Sequence, residues 1–150
     1  MKKVIIVHML PIEHYPPVQN LINYLSNYVS IICFTLGSKK LDTFVNKKVI
    51  IKRNKEIDTN SVSRLISHLC FYFKTFFYLI MYKPDEVIYY DSISSLPVWL
   101  YKIVNKRVKI VIHYHEYVTK NEYQTGMIIT KLAHKYLEKK NYLNAYWVSQ

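Results

Sequence analysis

Glycine is nearly absent from this chain: its 150 residues include only two, Gly37 and Gly126. Dinucleotide-binding folds need glycine at the first strand-to-helix turn, where backbone must approach a pyrophosphate, and a P-loop needs it for the same reason. The matching stretch here, His8-Met9-Leu10-Pro11-Ile12-Glu13-His14-Tyr15, has none. That argues against a nicotinamide or flavin enzyme and against a P-loop nucleotidase. Cysteine is equally scarce. Cys33 and Cys70 stand in apolar segments without framework spacing, which excludes a disulfide scaffold and reads as free thiols in a reducing compartment. Acidic residues are few as well: ten Asp and Glu against 21 Lys and Arg give a formal charge of +11. Such an excess calls for an anionic partner, whether a membrane surface, a nucleic acid or a phosphorylated ligand.

Two other features are missing. There is no internal repeat, low-complexity tract or flexible linker, so residues 1–150 read as one domain, long enough to bury about 70% of the surface of its unfolded chain. There is also no clean apolar run. Met1-Lys2-Lys3 and the apolar residues 4–7 imitate a signal peptide, but His8 and Pro11 follow at once and no small-residue cleavage site appears. The run reads instead as a first strand of a cytoplasmic protein. Residues 65–82 approach the length of a membrane span, yet Ser67, His68, Lys74 and Thr75 interrupt them. A charge in mid-span costs about 2.5–3.5 kcal/mol on insertion scales, so the segment reads as a buried or membrane-facing helix.

What is present is a rhythm of β-branched and aromatic runs. Strands are expected at residues 4–7, 29–36, 49–51, 86–90, 109–114 and 145–148. Helices are expected from near Pro17, over 61–82 up to Lys83-Pro84, after Asp91 with Pro97 in the first turn, and over 124–140. Strands with little alternation, separated by helices, predict a parallel sheet covered on both faces. The fold class is therefore α/β, a Rossmann-like three-layer sandwich with a mostly parallel sheet of about six strands.

In such sheets ligands bind outside the carboxyl ends of the strands. The fifth strand ends in His113-Tyr114-His115-Glu116, and alternation sends His113 and His115 to the same side. His8 ends the first strand, and Asp91 and Ser92 follow the fourth. Each also has a plainer structural role open to it: His113 as packing, Asp91 as the cap of the next helix. Imidazoles at a strand end can bind zinc, but no third ligand stands at a fixed spacing, so no metal is expected.

The stretch Tyr15-Pro16-Pro17-Val18, the run Pro84-Asp85-Glu86-Val87-Ile88-Tyr89-Tyr90-Asp91 before residues 92–97, and His115-Glu116 at the fifth strand's end together resemble the amino-terminal domain of a GT-B-fold glycosyltransferase. Within that fold the chain resembles family 4, the retaining group. The resemblance implies acceptor binding in this domain, a nucleotide sugar as donor substrate with no further cofactor, and a glycan or lipid-linked acceptor. It implies His115 and Glu116 as catalytic residues facing the cleft, with His8, Asp91, Ser92 and His113 lining the substrate site. It also implies a second, donor-binding domain, absent from residues 1–150, without which the chain is expected to be inactive. The family's glycine pair in the first loop is missing here, which removes the usual donor-phosphate contact from that loop.

Residues 38–55 are the most basic segment, and with Lys131, Lys135, Lys139 and Lys140 they read either as a solvated face or as a surface for anionic lipid headgroups. The run Phe71, Tyr72, Phe73, Phe76, Phe77, Tyr78 suits either core or a membrane interface. The chain is accordingly expected in the cytoplasm, peripheral on the inner membrane face, with self-association through any uncovered apolar surface. The competing reading is a non-catalytic basic α/β module that binds anionic membrane or nucleic acid. Nucleic acid is the weaker variant, since no helix-turn-helix, RNA-recognition or OB pattern is present.

Overall fold

The structure, a computed structural model, describes residues 2–37, 48–55, 61–114, 131–132, 136 and 139–149. Strand β1 is Lys3–Val7, helix α1 Pro16–Ser26, β2 Ser30–Leu36, β3 Val49–Asn54, α2 Ser61–Tyr82, β4 Glu86–Tyr90, α3 Ser95–Val104, β5 Lys109–His113, α4 Lys139–Asn144 and β6 Trp147–Ser149. Short 3-10 turns, Ile12–His14 and Ser92–Ser94, precede α1 and α3. All six strands lie in one sheet in the order β3-β2-β1-β4-β5-β6, and every neighbouring pair is parallel. The chain builds outward from β1 to β3, then returns past β1 and builds the other way from β4. The reversal falls between β1 and β4, which is the switch point where such sheets open a crevice.

Alternation along the strands makes the two faces. Ile5, Val7, Phe34, Val87, Tyr89, Ile110 and Ile112 turn to one side, where Phe71 and Leu79 of α2 and Val98 and Tyr101 of α3 cover them. Val4, Ile6, Ile31, Cys33, Ile88, Tyr90 and Val111 turn to the other, where Val18 and Ile22 of α1 meet them. These are the three layers. A fully buried side chain of this size contributes about 1.5–3 kcal/mol, and Ile6, Val7 and Val87 have no exposed area. The continuous apolar run of β1 is thus explained by its central place, with a helix on each face.

Local chemistry sets the helix ends. Proline occupies the first positions of α1, where no helical hydrogen bond is lost. Helix α2 stops at Lys83, whose φ of 45° lets its N–H donate to Leu79 O at 3.1 Å, a left-handed cap. Pro84 then blocks continuation.

Two expectations need adjustment, and a third lies mostly outside the described residues. The third strand runs on to Asn54 instead of stopping at residue 51, because the carboxyl half of β2 pairs with it: Phe34 with Lys52, Thr35 with Arg53, Leu36 with Asn54. The aromatic run of α2 is divided, with Phe71 and Tyr72 buried and Phe73 and Phe77 exposed. Helix α4 begins where the expected helix 124–140 ends, and most of that expected helix lies outside the described residues, as do His115 and Glu116.

Candidate functional site at the carboxyl edge of the sheet

One register row carries several polar side chains near the switch point. Thr35 pairs with Arg53, and Tyr90 with His113. His8 stands one residue beyond Val7, which pairs with Phe34 on one side and Tyr89 on the other, so it joins the row between Thr35 and Tyr90. Residues in register share a face, and this row faces the α1 side. His8, Tyr90 and His113 each follow an apolar run on their own strand.

His8 is 1% exposed and lies beneath the surface. Its Nδ1 is 2.8 Å from Leu10 O; a carbonyl only accepts, so Nδ1 carries a proton and donates it to this bond. The His8 ring meets Tyr15 edge-on at 4.6 Å and Tyr90 at 5.5 Å, and Tyr90 meets His113 at 4.9 Å. Burial first, then Cys33 and the Asp91 carboxylate, push the Tyr90 phenol up, so it stays a neutral hydrogen-bonding group. His113 is half-buried at the outer end of this ladder.

Asp91 follows β4 with φ 60° and ψ 156°, a region nearly reserved for glycine that costs an ordinary residue about 1–3 kcal/mol. Its N–H donates to His113 O at 3.1 Å and its carbonyl accepts from Ser94 N at 3.0 Å. Its side chain does not cap the following helix. The backbone therefore holds a carboxylate in a strained position at the crevice without using it as a cap. Ser92 is 3% exposed, and its carbonyl accepts the Ser95 hydroxyl at 2.5 Å, which places it inside the turn. The buried Ser94 hydroxyl accepts from Met9 N at 3.0 Å.

The sequence reading missed two residues. Arg53, on β3, forms an ion pair with Glu13 of the first loop, and both side chains are largely buried. Glu13 therefore anchors that loop to the edge strand, while Tyr15 packs on His8. An arginine that replaces an apolar residue within a strand's alternation is a signal for such a pairing. Thr35, the other, donates through Oγ1 to Leu10 O at 2.6 Å, fixing the same loop from below. Next to the row, α1, β4 and β5 frame a groove of about 670 Å³ whose walls include Leu21, Tyr24, Leu25, Ile88, Val111 and His113. Its walls are mainly apolar, with His113 and Tyr90 at the carboxyl end and Glu86 at the other.

No protein-family model matches the chain, and no curated protein matches it significantly. Solved structures do. The apo form of the lipopolysaccharide outer core galactosyltransferase WaaB aligns with a TM-score of 0.60 at 14% identity, over 99% of this chain and 44% of that one. MurG of Acinetobacter baumannii aligns with a TM-score of 0.61 at 14% identity, over 99% of this chain and 41% of its own. At that identity the likeness is one of fold, and the chain spans less than half the length of either enzyme. The chain is a Rossmann-like α/β domain with the fold found in GT-B glycosyltransferases.

Proposed function

We propose that this chain is the acceptor-binding domain of a glycosyltransferase that moves a sugar from a nucleotide sugar to a lipid-linked or glycan acceptor at the cytoplasmic membrane face. The observation that carries the reading is the carboxyl edge itself: a strained Asp91 beside the His8–Tyr90–His113 ladder at the switch point, in a fold found in GT-B glycosyltransferases. A lipid-linked acceptor has both chemistries that this edge offers. Its hydroxyls suit the Asp91 carboxylate and the His113 imidazole, which accept or donate hydrogen bonds at neutral pH. Its apolar chain suits the groove running down from His113. His8, beneath, sets the orientation of Tyr15 and Tyr90.

In a retaining transfer of the family 4 kind, positive charge develops on the sugar ring and negative charge on the departing phosphate, so the protein must position hydroxyls and stabilise phosphate more than supply a strong base. His115 would position the transferred sugar and Glu116 would orient it or contact the acceptor. The first loop has no glycine to bring backbone against a phosphate, so donor-phosphate charge is met by a second domain, and this domain alone is catalytically inactive.

Ligand-observed NMR of the chain with nucleotide sugars and short-chain glycolipid acceptors tests this. The expected result is acceptor binding that weakens in His113→Ala and His115→Ala, with little nucleotide binding. Binding only to anionic surfaces, abolished by salt and untouched by both substitutions, would favour the non-catalytic basic module.

A further inference from the structure

The groove beside α1 follows the alternation of two strands. Glu86, Ile88 and Tyr90 of β4 and Val111 and His113 of β5 turn to the α1 side, where Leu21, Tyr24 and Leu25 of α1 form the facing wall. The Tyr90–His113 row and the Glu86–Lys109 row bracket it, about 13 Å apart at the ~3.3 Å rise of a parallel strand.

Its two ends differ in chemistry. Tyr90 and His113 stand at the carboxyl end, next to Asp91. At the amino end Glu86 is paired with Lys2, and the Lys109 ammonium lies 4.4 Å from the centre of the Tyr146 ring. Between those ends none of the described wall residues carries a charge, on a chain of formal charge +11. The middle of the groove therefore suits an uncharged, apolar occupant.

Width decides which apolar occupant. Tyr90, Ile88 and Val111 form the floor, yet they are only 1%, 5% and 9% exposed. An α-helix is about 10–12 Å across with its side chains, so a helix from another protein or from a second copy would rest on the rim at Tyr24 and leave the floor unfilled. A hydrocarbon chain needs no more than a crevice. A volume of about 670 Å³, with aliphatic and aromatic walls and a few polar groups at one end, is the form that small-molecule sites take.

The geometry points to this groove as a gauge of chain length in an amphiphilic ligand. It takes about ten carbons of one hydrocarbon chain, at ~1.25 Å of rise per methylene, with the polar head at His113 and Asp91 and the chain stopped at the Lys2–Glu86 pair. A shorter chain leaves apolar wall unfilled. Carbons beyond the tenth leave over the rim at the exposed Tyr24 and add no contact. This rests on the acceptor reading of the carboxyl edge, and adds to it which acceptors the domain prefers.

The experiment titrates the full chain calorimetrically with alkyl glucosides from hexyl to tetradecyl, each below its micelle concentration. Alkyl dimethylamine oxides of the same lengths form a second series, which keeps the chain and lacks the sugar. Affinity for the glucosides is expected to rise about fourfold per methylene and to level off near decyl. Leu21→Trp, which moves the α1 wall inward, should bring the plateau to a shorter chain. Tyr24→Glu, at an exposed position where circular dichroism should not change, sets a carboxylate in the wall and should flatten the rise. Affinity that is independent of chain length, that climbs through tetradecyl without a plateau, or that is untouched by Tyr24→Glu overturns the inference. The two readings fail separately. The same plateau for the amine oxides, with no response of the glucosides to Asp91→Ala, would uphold the gauge and defeat the acceptor reading; a response to Asp91→Ala without any dependence on chain length would do the reverse.

Discussion

The Ser94 hydroxyl accepts a hydrogen bond from the Met9 amide at 3.0 Å, and both residues are buried. One belongs to the turn after β4 and the other to the loop after β1, so a single bond joins the two lips of the switch point. Ser94→Ala leaves the Met9 N–H unsatisfied away from water, which costs about 1–3 kcal/mol. Urea denaturation should show a loss of that size with an unchanged m-value.

The Arg53–Glu13 pair ties the first loop to the edge strand, with side chains 13% and 8% exposed. Removing one member of a buried pair leaves the other charge uncompensated, at a cost of about 3–5 kcal/mol. Arg53→Met should destabilise by that amount, and adding Glu13→Gln should recover part of the loss. A double-mutant cycle by denaturation checks it; additive losses would show that the two do not interact.

Asp91 separates stability from function. Glycine takes φ 60°, ψ 156° without strain, so Asp91→Gly should stabilise the fold by about 1 kcal/mol, net of the ~0.5–1 kcal/mol that glycine's freedom in the unfolded chain costs. Asp91→Ala keeps the strain and should give no gain. Both should weaken acceptor binding. Thermal unfolding compared with NMR titration distinguishes the two effects.

Stability should fall on both sides of a plateau in pH. Burial pushes the Cys33 thiol from its ordinary 9.0 up to about 12, and burial raises Tyr72 and Tyr90 as well. The unfolded chain therefore loses these protons first, and stability present below pH 9.0 is lost as the pH rises toward 12. Burial, then Arg64, pushes His68 below its ordinary 6.5, so the unfolded chain binds that proton first and stability declines as the pH drops below 6.5. Cys33→Ala should flatten only the alkaline limb of a stability-versus-pH curve.

The α/β class and the sequential order of strands and helices are legible in the sequence, because apolar runs such as Val4 to Val7 and Glu86 to Tyr90 alternate with helical spacing and proline stops. The third strand's length is not, since Lys52 and Arg53 read as part of a solvated basic face and only pairing with β2 shows otherwise. Which aromatics of α2 face inward is equally hidden: a helix apolar on two sides has no amphipathic phase to read. His8 and Asp91 were legible as groups at a strand's carboxyl end. Their grouping with Tyr90 and His113 needs the register between β1, β4 and β5, and the strain at Asp91 is a backbone property that no composition reveals. His115 and Glu116 lie outside the described residues.

The central claim is that the carboxyl edge at the switch point binds an acceptor. The most direct measurement is amide chemical-shift mapping on the isotope-labelled chain titrated with a short-chain glycolipid acceptor. The account predicts that the largest shifts fall on His8, Tyr90, Asp91 and His113 and shrink in Asp91→Ala. Shifts confined to the outer face of α2, or none at saturating ligand, would contradict it.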